Sequence, residues 1–150
     1  MQLTQYAAAS IDLGYRQGGD IAELSDKARK LFEDPNILFV ATVNSDGSPQ
    51  VTPVWTHVED GYVTFNTAKG RVKERNMRRD PRIGLSITAR ENPMEKVDVA
   101  GRVVEMIEGD EAEAQIDDLS EKYIGQRPYP WRRGEERIKV VVEPVRVHEM

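Results

Sequence analysis

Apolar positions along the chain first follow a helical and then a strand-like period. Ile21, Leu24, Ala28, Leu31 and Phe32 recur at helical spacing, with Asp20 placed to cap and Pro35 to close, so residues 21–33 are expected to form an amphipathic helix. The period then shortens. An apolar run at 37–43, a β-branched run at 50–57 and a third at 62–66 are separated by the turn signals Asp46-Gly47 and Asp60-Gly61, which predicts a three-stranded antiparallel meander. Residues 69–79, with helix formers and no proline, are expected to form a short basic helix that stops at Asp80-Pro81, because the residue before proline is pushed out of helical space. Further strands are expected at 82–89 and 96–107, the second bending at Gly101. Ala112, Ile116, Leu119 and Tyr123 mark a helix over 109–124, and 125–134 reads as a loop. In the last strand Ile138, Val140 and Val142 alternate in one phase and Val145 and Val147 in the other, so a bulge is expected at Glu143-Pro144. Residues 1–20 read as an N-terminal extension and 21–150 as the domain. The pattern is mainly β with short helices, six strands arranged as a small antiparallel closed or split β-barrel.

Composition narrows the chemistry. The 150 residues make one domain, and the absence of cysteine excludes disulfides, thiolate metal sites and cysteine nucleophiles. The only histidines are His57 and His148: the first is expected at the surface of a strand end, and the second lies almost at the chain terminus. Ser86 has no partner at triad spacing. Glu108, Asp110, Glu111 and Glu113 read as an acidic first helical turn rather than a metal site. No segment has the apolar length of a membrane span or the form of a signal peptide, so a cytoplasmic protein is expected. The net charge of −5 hides a basic stretch in which Lys69, Arg71, Lys73, Arg75, Arg78, Arg79, Arg82 and Arg90 face only Glu74 and Asp80. An acidic protein with its cations concentrated in one place is expected to bind an anion there. The acidic total and the scarcity of stacking aromatics weigh against nucleic acid.

The segment Phe65-Asn66-Thr67-Ala68-Lys69-Gly70-Arg71-Val72-Lys73 couples a strand end, a glycine turn and a helix start that carries cations. The free amides and positive dipole end of such a helix favour phosphate, and lysine or arginine adds charge-assisted hydrogen bonds. The alternative is a solvated helix face. Trp55, next to Pro53, fits either core or the wall of a flat cofactor; Trp131, in GQRPYPWRRG, fits either a dimer anchor or a pocket lid.

Three segments in order, LFEDPNILFVATVNSDGSPQVTPVW, DGYVTFNTAKGRVKERNMRRDPRIGLSI and VDVAGRVVE, resemble the pyridoxamine 5′-phosphate oxidase-like flavin-binding split barrels, most closely their branch of F420-dependent oxidoreductases. The resemblance spans residues 31–150. It implies a homodimer with a flavin or deazaflavin at each subunit interface. In such proteins the strand matching Gln50, Val51, Thr52, Pro53, Val54 and Trp55 lies along the ring. Asn66, Thr67, Lys69, Gly70, Arg71 and Lys73 match the phosphate-binding segment. Lys96 matches a polar position facing the ring, and Trp131 and Arg132 resemble residues that reach the partner's cofactor. Val54, Trp55 and Val72 depart from the oxidase pattern, and so does the pair of arginines after Trp131, which turns the expectation away from pyridoxal phosphate synthesis. The extra cations Lys69 and Arg71 suit the acidic tail of F420. The expected function is hydride transfer from reduced F420 to an electron-poor double bond or quinone-like small molecule. The alternatives are an FMN-dependent oxidase or reductase and a non-catalytic flavin or haem carrier. The homodimer interface is expected to include the loop 128–133, because exposed Tyr129 and Trp131 would be awkward on a monomer.

Overall fold

The computed structural model describes residues 21–149. The expectations for residues 1–20, including the Asp20 cap, lie outside them. Strands β1 (Leu38–Val43), β2 (Pro49–Val54), β3 (Thr56–Glu59), β4 (Tyr62–Ala68), β5 (Arg82–Thr88), β6 (Lys96–Glu108) and β7 (Arg137–Glu149) form one antiparallel sheet in the order β2-β1-β5-β6-β7-β4-β3. Helices α1 (Asp26–Glu33), α2 (Val72–Arg79) and α3 (Asp110–Ile124) complete the described fold.

The expected strand 50–57 is two strands, so the sheet has seven members and not six. The expected meander is also broken: β2 pairs with β1 and β3 with β4, while β2 and β3 occupy opposite edges of the sheet. Val54 and Thr56 are nevertheless separated by one residue. Because consecutive Cα atoms are about 3.8 Å apart, the two edges must meet at Trp55, and the sheet curls into a split barrel. Leu38, Val40, Val63, Phe65, Leu85 and Ile87 belong to the core cluster inside it.

At the seam the outward backbone groups of edge residue Thr56 have no further strand to pair with, and buried peptide groups need partners. Helix α3 supplies them. The Tyr123 hydroxyl accepts from Thr56 N at 3.1 Å and donates to Asn36 O, while Lys122 Nζ donates to Thr56 O and Phe32 O at 2.7 Å each. Burial pulls the Lys122 ammonium down to about 8 and pushes the Tyr123 phenol up to about 12.

Helix α1 begins five residues later than its apolar spacing suggests. Ser25 caps it by accepting from Ala28 N at 3.0 Å, and Ala22 N donates to Pro144 O at 3.0 Å, tying the preceding residues to β7. Helix α2 likewise starts after the Gly70 turn, at Val72 and not at Lys69. In β7 the bulge falls at Val145, one residue beyond the expected place, and Val104 is a second extra residue on β6.

Gly101 lies opposite the first bulge, where a Cβ would stand 2.6 Å from Val142 Cγ1 and 3.2 Å from the Glu143 carbonyl oxygen. At Gly84 the nearest atom to such a Cβ is Ala41 Cβ at 3.5 Å, an ordinary contact. We therefore predict that Gly101→Ala destabilises the protein by about 1–3 kcal/mol through overpacking, whereas Gly84→Ala changes little. Urea denaturation checks this, and equal midpoints for the two variants would contradict it.

Candidate functional site

Where the barrel edges meet, a cleft of about 270 Å³ opens between the seam, α3 and the loop that follows it. Pro53, Val54 and Trp55 line it from the seam, Ile116 and Leu119 from α3, and Tyr129 and Trp131 from the loop. Trp55 is the hub of an aromatic group. Its ring lies 5.4 Å from that of Tyr123 and nearly parallel to it, 6.0 Å from Tyr129 edge-on, and 6.3 Å from Trp131. The loop is drawn back by charge: Asp117 accepts from Tyr129 N at 2.8 Å and from Arg132 Nη1 at 2.9 Å, and Glu113 accepts from Arg132 Nε at 3.1 Å. Such a wall of flat rings suits a flat ligand.

The other end of the cleft is cationic, lined by Arg71, Lys73 and Arg137, with Asn66 beside them. Asn66 Nδ2 donates to Ala112 O and to Gln115 Oε1, at 2.9 Å each, so its oxygen is left to accept from Arg137 Nε at 2.7 Å. Arg137 also pairs with Glu135 at 3.1 Å. Lys73 is only 7% exposed, yet among the described residues its ammonium has no hydrogen-bond or ion-pair partner. Burial, then repulsion from Arg71 and Arg137, pulls its pKa below the ordinary lysine value. A cation so little exposed and without a counter-charge is unfavourable, and a phosphoryl group placed between Lys73 and Arg71 in the cleft would supply the missing charge. The residues present therefore fit a ligand with a planar ring at one end and a phosphate at the other.

Of the residues expected from sequence, Pro53, Val54, Trp55, Asn66, Arg71, Lys73 and Trp131 line this cleft. The others lie elsewhere. Gln50 accepts from Thr42 Oγ1 at 3.3 Å, Val51 is 61% exposed on the outer face of the sheet, and the Thr52 and Thr67 hydroxyls are buried without partners. Lys96 is held by Asp98 at 2.9 Å, and Arg132 is held on α3. The Gly70 turn has the expected left-handed backbone, φ +92°, but its N–H donates to Glu74 Oε1 at 2.9 Å, so α2's own carboxylate takes that amide.

The basic stretch is also better balanced than its local sequence suggests. Lys69 pairs with Glu136 at 3.3 Å and with Glu108 at 3.8 Å, Arg78 contacts Glu74, and Arg79 Nη2 donates to Val43 O at 2.7 Å. His57 is half-buried beside Lys122 in a separate cleft, and burial followed by the Lys122 charge lowers its pKa. Arg137, Tyr129, Ile116 and Leu119 were not expected at the site. Arg137 pairs with Ala68 across β4 and β7, so strand register was the signal that could have placed it beside the phosphate segment.

Among the described residues no helix is long and apolar enough to cross a membrane, and no group of His, Asp or Glu side chains could hold a metal ion.

The chain shares its fold with several solved structures. An F420 reductase is 27% identical with a TM-score of 0.74, covering 83% of this chain and 98% of its own. A conserved hypothetical protein from Mycobacterium tuberculosis is 23% identical with a TM-score of 0.68, covering 87% and 86%. A heme binding protein from Mycobacterium smegmatis is 22% identical with a TM-score of 0.57, covering 87% and 59%. The last two show the fold alone. No protein of curated function matches the sequence. A sequence model for pyridoxamine 5′-phosphate oxidase matches residues 24–149, nearly all of the described chain. With its split barrel and its seam cleft, the chain belongs to the pyridoxamine 5′-phosphate oxidase family.

Proposed function

We propose that the protein is an F420-dependent oxidoreductase that reduces an electron-poor double bond or a quinone-like small molecule. Family membership supports flavin-type oxidoreduction in general, and the 27% identical F420 reductase supports the deazaflavin in particular. The observation that carries the reading is the unpartnered, buried Lys73 at one end of a cleft walled by aromatic rings at the other. Bound there, the deazaflavin would supply the hydride. The chain's share is positioning and exclusion of water. Lys73 and Arg71 hold the phosphoryl group, with Arg137 oriented by Asn66. Edge strand β2 pairs on one side only, leaving outward backbone groups for the ring. Trp55, Tyr129 and Trp131 shield the cleft from solvent.

The working unit in this reading is a homodimer. Phe39 and Val51 are 48% and 61% exposed in an open, largely apolar groove of about 1000 Å³ across β1, β2, β5, β6 and the end of β7. That surface suits a second copy, and the loop 128–133, though held on its own α3, keeps Trp131 52% exposed as a further contact. Strand β2 borders both groove and cleft, through Val51 and through Pro53, so a copy seated on the groove would adjoin the site. We predict that Phe39→Asp with Val51→Asp yields a folded monomer by sedimentation, while a parent that is itself monomeric at micromolar concentration would overturn the dimer.

A second reading, FMN in place of F420, is favoured by one observation: Lys69, one of the two cations expected to meet an acidic tail, is paired within the chain. Titrating the purified protein with F420 and FMN in parallel, followed by turnover of a quinone with reduced F420, separates the two. Tighter F420 binding with turnover supports the proposal, FMN binding alone moves it to FMN, and binding of neither overturns both.

Lys73 gives a sharper test. Its folded-state pKa lies below that of the unfolded chain, so the unfolded chain holds more protons between the two values and parent stability rises with pH in that window. At neutral pH the charge therefore opposes folding. Lys73→Met is expected to weaken cofactor binding by about 1–3 kcal/mol, the size of a charged hydrogen bond, while stabilising the ligand-free protein by about 0.5–2 kcal/mol. Isothermal titration and urea denaturation check the pair; unchanged affinity, or a loss of stability at neutral pH, would contradict it.

A further inference from the structure

The basic stretch looks long enough to follow a polyanionic tail, yet its cations divide sharply by what surrounds them. Arg71 and Lys73 face the cleft, and neither side chain has an ion-pair partner among the described residues. Lys69, two residues from Arg71, lies outside the cleft lining. It is just over half exposed, between Glu136 at 3.3 Å and Glu108 at 3.8 Å, and its own N–H donates to Glu136 O at 2.9 Å. Glu108 also reaches Arg78 Nη2 at 3.5 Å, Arg78 contacts Glu74, and the Arg75 guanidinium donates to Gly70 O. A negative group leaving the cleft past Gly70 would meet a lysine already matched by two carboxylates.

We propose that Glu108 and Glu136 are specificity determinants that confine the anion site to one phosphoryl group, so that affinity does not depend on charges beyond it. This rests on the reading of the cleft as a phosphate site. It implies that the number of carboxylates on a deazaflavin tail is not selected, because the attraction of Lys69 for the tail is offset by repulsion from its two partners. The two carboxylates act by holding Lys69, and removing their charge should lengthen the site.

The test uses inorganic phosphate and tripolyphosphate as probes, with titration calorimetry on the full chain at low salt. In the parent, Lys69→Met should leave phosphate affinity unchanged and lower tripolyphosphate affinity, because Glu108 and Glu136 are then unopposed. In E108Q/E136Q, phosphate affinity should stay the same while the preference for tripolyphosphate rises about three- to fivefold, the upper range for a half-exposed ion pair. Adding Lys69→Met to that variant should remove the gain. E136Q alone, at a side chain 68% exposed, should give part of it with the least risk to folding. An unchanged preference in folded E108Q/E136Q, or a parent whose tripolyphosphate affinity is unmoved when Lys69 is replaced, would overturn the proposal. Failure of the parent to bind phosphate at all, or equal binding by Lys73→Met, would instead overturn the phosphate reading of the cleft and this inference with it.

Discussion

The connection from β2 to β3 spans one residue, Trp55, yet those strands are the two edges of a seven-stranded sheet. No flat sheet can satisfy that connectivity, so the curl follows from it. The seam then sets further requirements. Thr56 turns edge backbone groups toward α3, and Lys122 and Tyr123 meet them there, which fixes the C-terminal half of the helix. The same helix lines the cleft with Ile116 and Leu119, while its Glu113 and Asp117 draw back the following loop and bring Tyr129 and Trp131 over Trp55. One short crossing thus places the aromatic end of the site.

The cationic end depends on a different balance. Strand β4 is buried on both faces, because α3 packs outside it and the barrel core lies within, so Asn66 is held in an environment poor in water. There it orients Arg137, and Lys73 from α2 completes a group whose charges repel one another. Uncompensated charge at low exposure is unfavourable for the free protein and is relieved by an anion, the usual relation between stability and function at a binding site. Lys69, Arg75, Arg78 and Arg79 lie close in sequence but have partners of their own, and they belong to the fold more than to the site.

Much of this was legible in the sequence because alternation of apolar residues reports which strand face is buried, and Asp-Gly pairs report turns. The phosphate segment was legible because strand end, glycine and cations are contiguous. What escaped was non-local. The β-branched run 50–57 conceals a break that only closure of the sheet demands, and Trp55 satisfies both strand propensity and a crossing. The counter-charges Glu108 and Glu136 lie far from Lys69 in sequence, and Arg137 reaches the site only through the pairing of β7 with β4. The start of α1 was misplaced because Ile21 and Leu24 keep helical spacing while the backbone around them is held against β7.

Lys73 holds a little-exposed positive charge whose missing partner is an anion in the cleft. Its titration can be followed directly by the ¹³Cε resonance of Lys73, assigned by comparison with Lys73→Met, with and without inorganic phosphate. Its pKa is expected below the ordinary lysine value in the free protein and should rise toward that value when phosphate is added. A Lys73 that titrates like a solvated lysine, or whose pKa is unmoved by phosphate, would contradict it.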